Sequence, residues 1–197
     1  WKDPESLEPP YSVINHLGIT YFSLKTDEID DHLSHLINAG ATMVAGPVSE
    51  ASGDRAVMVR DPDGTFVKLR QQSDTSPSEI VHKIDYLNIN VRNIECSQTF
   101  YEMLGLEVQT NLHSSDGGAL SEAMGLGLET KKLGRMMRHR VDGFRVNLNQ
   151  WVKPIAVGEP YSPPLTHLGI HRINWAITDL EGDVETLKRD GVKFICP

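Results

Sequence analysis

Residues 16–44 open with His16-Leu17-Gly18-Ile19-Thr20-Tyr21-Phe22-Ser23-Leu24 and continue through Ile29-Asp30-Asp31-His32-Leu33-Ser34-His35-Leu36-Ile37-Asn38-Ala39-Gly40 to Val44. They recur without a gap at residues 167–195, which keep His167-Leu168-Gly169-Ile170, Leu187 and Gly191. The likeness reaches upstream: Trp1, Pro4 and Pro10-Tyr11-Ser12 return as Trp151, Pro154 and Pro160-Tyr161-Ser162, one inserted residue apart. A period of about 150 residues is too long for a solenoid repeat and marks a duplicated folding unit.

The pattern within the unit is β-α-β-β-β. Ile19 to Leu24 alternates as a strand. Ile29, Leu33, Leu36 and Ile37 share one helix face over Ile29 to Asn38, and Gly40 supplies the stop. Ala41–Val48 and Arg55–Arg60 read as strands, Asp61-Pro62-Asp63-Gly64 as a turn, and Thr65–Arg70 as the last strand. The second copy predicts a strand at Arg172–Thr178, a helix at Leu180–Arg189 closed by Gly191, and a strand at Val192–Cys196. It then ends, two strands short. A first residue Trp1 and a last residue Pro197 inside an unfinished unit read as a piece of a longer chain.

Between the copies lies a polar linker, Gln71–Ser78, and then a different version of the unit. Ile84–Val91 is its first strand, Glu95–Leu104 a helix closed by Gly105, and Leu106–Thr110 a strand. Leu133–Arg140 and Phe144–Trp151 pair around the Asp142-Gly143 hairpin turn, and a short helix at Leu120–Met124 interrupts the loop Leu112–Thr130.

Composition sets outer limits. The 197 residues are 39% apolar and 23% charged, an ordinary globular balance. No apolar run approaches the roughly 20 residues that span a bilayer, and the polar start Trp1-Lys2-Asp3-Pro4-Glu5 is no signal peptide. Cys96 and Cys196 are the only cysteines, which excludes a disulfide scaffold and a cysteine zinc site. A net charge of -8 argues against nucleic-acid or membrane-surface binding. The expected setting is cytoplasmic, with a small organic molecule as partner and a homodimer left open as the assembly.

Three β-α-β-β-β units, with Phe100-Tyr101-Glu102-Met103-Leu104-Gly105-Leu106 in one and Asp61-Pro62-Asp63-Gly64 in another, resemble the vicinal oxygen chelate superfamily of glyoxalases, bleomycin resistance proteins and extradiol dioxygenases. The resemblance covers nearly the whole chain. It implies an α+β fold in which repeated βαβββ modules form cupped mixed sheets. On that reading residues 1–72 are the C-terminal half of one domain, 73–80 a linker, and 81–197 a second domain. The second domain comprises a module at 81–155 and a truncated one at 165–197, so the parent protein is a tandem. Three pairings stay open: the first unit completes the central one, or each joins a unit outside this sequence or another chain.

The resemblance also implies a metal, held by His or Gln on the first strand and Glu on the last strand of each unit. Placed on that pattern, the central unit offers Tyr86 and Asn147, the third unit Arg172, and the first unit Tyr21 and Lys68. Arg and protonated Lys have no lone pair to give, and Tyr and Asn are uncommon ligands. No metal or other cofactor is therefore expected; iron, manganese, nickel or zinc belongs to the alternative in which a slipped register brings in His16, His167 or His171.

Strand parity supplies candidates of another kind. Tyr86, Asn88 and Asn90 share one face, opposite Leu87, Ile89 and Val91; Asn147 and Asn149 alternate with Val146 and Leu148, and Arg172 and Asn174 with Ile173 and Trp175. Tyr21 with Ser23, and Phe66 with Lys68, continue the polar face in the first unit. A polar cup needs water or a polar ligand to pair with it. The expected roles are Tyr86 and Arg172 as catalytic residues, the first moving a proton and the second holding negative charge. Asn88, Asn147, Asn149, Asn174, Tyr21, Lys68 and His139 are expected to bind the substrate. Lys131, Lys132, Arg135, Arg138, Arg140 and Arg145 form a local basic region spread over both faces of the hairpin; that spread argues against a nucleic-acid surface and leaves a role beside an anionic substrate as one alternative. His32 and His35 lie on a surface helix face.

The function expected is binding of a small anionic or carbonyl-bearing molecule, with an enzyme of isomerase, lyase or cyclase type favoured. The alternatives are a non-catalytic binder of drug-like compounds, a metal-dependent dioxygenase or glyoxalase-type enzyme, and a structural domain paired with a partner.

Overall fold

The computed structural model describes residues 11–50, 53–72, 83–114, 119–127, 129–159, 166–170 and 172–194. In chain order the elements are β1 (Gly18–Thr26), α1 (Ile29–Asn38), β2 (Thr42–Ser49), β3 (Arg55–Arg60), β4 (Phe66–Gln71), β5 (Lys83–Asn90), α2 (Ile94–Met103), β6 (Leu106–Ser114), α3 (Ala119–Ala123), β7 (Lys131–His139), β8 (Arg145–Lys153) and α4 (Leu180–Arg189). The α+β class and the βαβββ unit are as the sequence reads.

Local chemistry explains the element ends. The Asn93 side chain caps α2 by accepting from the Cys96 amide at 3.0 Å. Gly105, with φ +84, lets the chain leave that helix in a left-handed conformation a Cβ disfavours. Asp61 builds the turn before β4, its carboxylate accepting from the amides of Asp63 at 3.0 Å and Thr65 at 2.8 Å.

Eight strands form one mixed sheet in the order β2-β3-β4-β1-β5-β8-β7-β6. Within each unit the first strand runs parallel to the last, β1 with β4 and β5 with β8. The units join where β1 and β5 pair antiparallel, Tyr21 opposite Asn88 and Ser23 opposite Tyr86. The first unit thus completes the central one. Among the described residues the third unit adds no strand to this sheet.

The reason is edge chemistry. A first strand needs a partner on each side, and β1 and β5 already use each other. Residues 172–178, expected as a strand, run outside the sheet, as do residues 192–194; the rest of the strand expected at Val192–Cys196 lies outside the described residues. The alternation survives in another use: Ile173 and Trp175 pack on the apolar cluster between α2 and the sheet, around Ile89, Ile94, Met137 and Leu148. Strand β6 also runs past the expected Thr110 to Ser114, through a register shift between Val108 and Thr110.

Both unit helices lie on one face. Helix α1 sets Ile29, Leu33 and Leu36 on Val57, Val59, Val67 and Leu69, and α2 covers the cluster that Trp175 joins. The opposite face curves into a cup closed over by α3 and by the segment before β1, through Leu120, Tyr11 and Ile14. Among the described residues no helix is long and apolar enough to cross a membrane.

A charge cluster straps the seam between the units. The Asp85 side chain, 5% exposed, accepts from Arg70 of β4 at 3.2 Å and from Arg145 of β8, while Arg70 also binds Asp54. Removing the carboxylate leaves two guanidinium groups partly buried and facing one another. Asp85→Ala should lower the unfolding free energy by about 2–3 kcal/mol in urea titration, whereas Asp30→Ala, which breaks only the exposed pair with Arg55, should leave the midpoint unchanged.

Candidate functional site

The cup floor is ordered in rows, because paired strands put opposite residues on the same side. One row carries Phe66, Tyr21, Asn88, Asn147 and Met136, and the next Met58, Lys68, Ser23 and Tyr86. A third carries Asn90, Asn149, Gly134 and Leu112. Gly134 is needed there: a Cβ would sit 2.6 Å from the Leu112 carbonyl oxygen and 3.1 Å from the Asn149 amide oxygen. Above the rows lies a cavity of about 490 Å³. Its lining includes Tyr21, Tyr86, Lys68, Asn147 and Asn149, five of the nine residues expected at the site.

The other four lie elsewhere. Asn88 is 1% exposed beneath the floor. Its amide donates to Thr20 Oγ1 at 2.9 Å and to Asn90 Oδ1 at 3.1 Å, and its own oxygen accepts from Asn147 at 3.3 Å and from Asn149. Asn90 in turn donates to the carbonyls of Ile14 and His16 at 2.7 Å and accepts from the Trp151 indole at 2.9 Å. The asparagines expected to await a ligand are largely one another's partners, a closed network of the kind that satisfies buried amides. Arg172 and Asn174 are exposed on the unpaired segment, whose apolar side chains face the opposite side of the sheet from the cup. His139 does not line the cavity: it sits at the hairpin end, Nδ1 2.9 Å from the Asp142 carboxylate and its ring 5.6 Å from Trp175.

Two polar atoms of the cup stay unsatisfied. Ser23 Oγ and Asn147 Oδ1 are buried without a hydrogen-bond partner. An orphaned acceptor at the floor suits a ligand or water that donates to it.

The cup also gathers charges that parity alone did not single out. Lys68 donates to Glu50 at 2.8 Å and is buried. Burial works against its charge, but the nearby Tyr86 and Glu50 outweigh it and hold the ammonium above its ordinary value. Burial, then Tyr86 and Glu50, push the Tyr21 phenol well above the ordinary tyrosine value, so it stays protonated. Tyr21 and Tyr86 meet edge to face at 6.3 Å. Of the basic hairpin residues, Lys132 and Arg145 line the cavity, whereas Arg135 and Arg140 pair with Glu95 and Glu107 outside it. The shared parity of Lys132, Gly134 and Met136 was the signal that could have found Lys132. Glu50 had none, since it follows the end of its strand.

Four of the five positions where the resemblance puts metal ligands are thus brought to one cup, occupied by Tyr21, Lys68, Tyr86 and Asn147, while the fifth, Arg172, lies off it. An ammonium and a phenol held protonated do not fit a divalent cation, and among the described residues no group of three His, Cys, Asp or Glu side chains converges. The register seats Tyr21 and Tyr86, not His16, on the floor; His16 bonds the Leu17 carbonyl at 2.8 Å. His171 lies outside the described residues.

Lys132 gives the cup a pH signature. Burial, and then the Lys68 charge, push its amine down to about 8, against a smaller opposing effect of Glu50. Between that value and the ordinary lysine value of about 10.4 the unfolded chain binds the extra proton, so stability rises with pH there. The unfolding free energy from urea titration should increase from pH 7 to pH 10 by about 1–2 kcal/mol after allowing for solvent screening, and Lys132→Met should abolish the increase.

No protein-family model matches the chain, and no curated protein matches it significantly. Solved structures do. A glyoxalase family protein from Bacillus cereus superposes with a TM-score of 0.51 and 20% identity, over 59% of this chain and 77% of its own. Glyoxalase I from Zea mays gives a TM-score of 0.51 and 19% identity, over 67% of this chain and 42% of its own, so this chain spans less than half of that protein. With the paired βαβββ units and the cup between them, these likenesses establish that the chain has the fold of the vicinal oxygen chelate superfamily.

Proposed function

We propose that the cup binds a small organic molecule bearing a carbonyl or an anionic oxygen and acts on it without a metal, by proton transfer of isomerase, lyase or cyclase type. The observation that carries this reading is the replacement, at four convergent positions, of metal donors by Tyr21, Lys68, Tyr86 and Asn147 around a cavity of about 490 Å³. That volume suits a compact organic ligand. Lys68, charged and held by Glu50, would stabilise negative charge developing on a ligand oxygen. Tyr86, beside Lys68 in the same cavity, would deliver or take the proton at its hydroxyl. Asn147 would accept a hydrogen bond from the ligand through its orphaned oxygen. The anion-holding role expected of Arg172 passes to Lys68, because Arg172 lies off the cup.

A second reading, a binder that does no chemistry, is favoured by the methionines Met58, Met124 and Met136 in the lining, whose adaptable side chains suit varied apolar ligands. A screen of carbonyl compounds and carboxylates against chelator-treated protein separates the two. The expected result is turnover that survives chelation and drops about 10²–10⁴-fold in Tyr86→Phe with binding nearly unchanged. Stoichiometric binding without product would favour the binder, and activity lost on chelation and restored by one metal would overturn the metal-independent reading.

A further inference from the structure

Lys132 stands apart from the other cations of the cup. Lys68 is tied to Glu50, Arg70 to Asp54 and Asp85, and Arg145 to Asp85. Among the described residues the Lys132 side chain has no ion pair and no hydrogen bond; its ammonium lies 5.2 Å from the centre of the Trp151 ring, directly across the strand pair. It lines the cavity with Tyr86, Met136 and Leu112. The charges that face it are the Lys68 ammonium from β4 and the Glu50 carboxylate beyond β2, which Lys68 already engages.

A lysine in an apolar wall beside a second cation is the arrangement that releases a neutral amine. We propose that Lys132 is a nucleophile that forms a Schiff base with an aldehyde or ketone bound in the cup. This rests on the small-molecule reading above and narrows its ligand to a reactive carbonyl.

The chemistry closes on groups already in the cavity. The neutral Nζ lone pair attacks the carbonyl carbon, a C–N bond forms, and the carbonyl electron pair moves to oxygen, which takes a proton. The carbinolamine nitrogen gives up one proton to solvent. The hydroxyl then leaves as water on receiving a proton, which Tyr86, a phenol lining the same cavity, would supply, and the nitrogen lone pair forms the C=N bond of the iminium. Hydrolysis reverses every step, and nothing is oxidised or reduced. The cationic iminium would keep the contact with the Trp151 face that the ammonium makes. An iminium also acidifies the neighbouring C–H, which is what isomerase or lyase chemistry needs. With the amine pushed down to about 8, about a tenth of it is neutral at pH 7, against well under a thousandth of an ordinary lysine.

The test uses 2-hydroxy-1-naphthaldehyde, a coloured aldehyde of a size the cavity admits, with sodium cyanoborohydride at pH 7 and peptide mapping of the whole chain. Labelling at Lys132 should exceed that at the exposed Lys131 and Lys193 by about tenfold or more, each adduct adding the mass of the aldehyde less one oxygen. 2-Naphthol, which cannot form an imine, should slow labelling at Lys132 alone. Lys132→Arg should still bind 2-naphthol in equilibrium dialysis and show no preferred label. If the naphthol binds but Lys132 reacts no faster than Lys131, the Schiff base is overturned and the small-molecule reading stands. If neither probe binds and no lysine is preferred, both are overturned for this ligand class.

Discussion

The antiparallel pairing of β1 with β5 is the contact on which the rest of the structure depends. Each βαβββ unit ends its own sheet at its first strand, leaving a row of unpaired backbone donors and acceptors. Placing two such edges together satisfies both, and the resulting eight strands curve around one concave face. The pairing brings Tyr21 beside Asn88 and Ser23 beside Tyr86. Residues more than sixty positions apart in the chain become neighbours on one floor. The Asp85 carboxylate, held by arginines of the strands that flank β1 and β5, reinforces the same seam.

The floor shows how a polar sheet face is made tolerable. Asparagines in adjacent rows exchange hydrogen bonds through Asn88, so most of the burial cost is met inside the protein. A rigid polar base of this kind positions the groups above it. What it leaves over, Ser23 Oγ and Asn147 Oδ1, is concentrated beneath the cavity. The network supports the cup and leaves a few unsatisfied atoms beside its charged groups.

The chemistry follows from which charges find partners. Lys68 and Glu50 hold each other, which fixes one positive charge at the floor. That fixed charge and burial act together on Lys132, whose ammonium lies over an aromatic face and has no ion pair among the described residues. Two lysines in one cavity therefore differ in setting, which is why the proposal gives Lys68 the holding of negative charge and Lys132 the attack.

The sequence by itself determined the β-α-β-β-β unit, its turns, and which side of each strand faces the cup. Periods of two and 3.6 residues, Gly105, and the Asp61 and Asp142 turns are local properties that survive any arrangement of units. Strand parity was enough to bring Tyr21, Lys68, Tyr86, Asn147 and Asn149 to the cavity. Only the tertiary structure decided which units pair, because β1, β5 and residues 172–178 carry equally good edge patterns and hydrogen bonding across a seam is not written in any one of them. It sent Arg172 and Asn174 off the cup, although their alternation matches that of the cup strands, since a strand pattern without a free edge partner buries its apolar side wherever a surface offers. It also decided that the asparagines satisfy one another and that Glu50, Lys68 and Lys132 meet, for ion pairing and desolvation depend on distances between residues that local sequence does not encode.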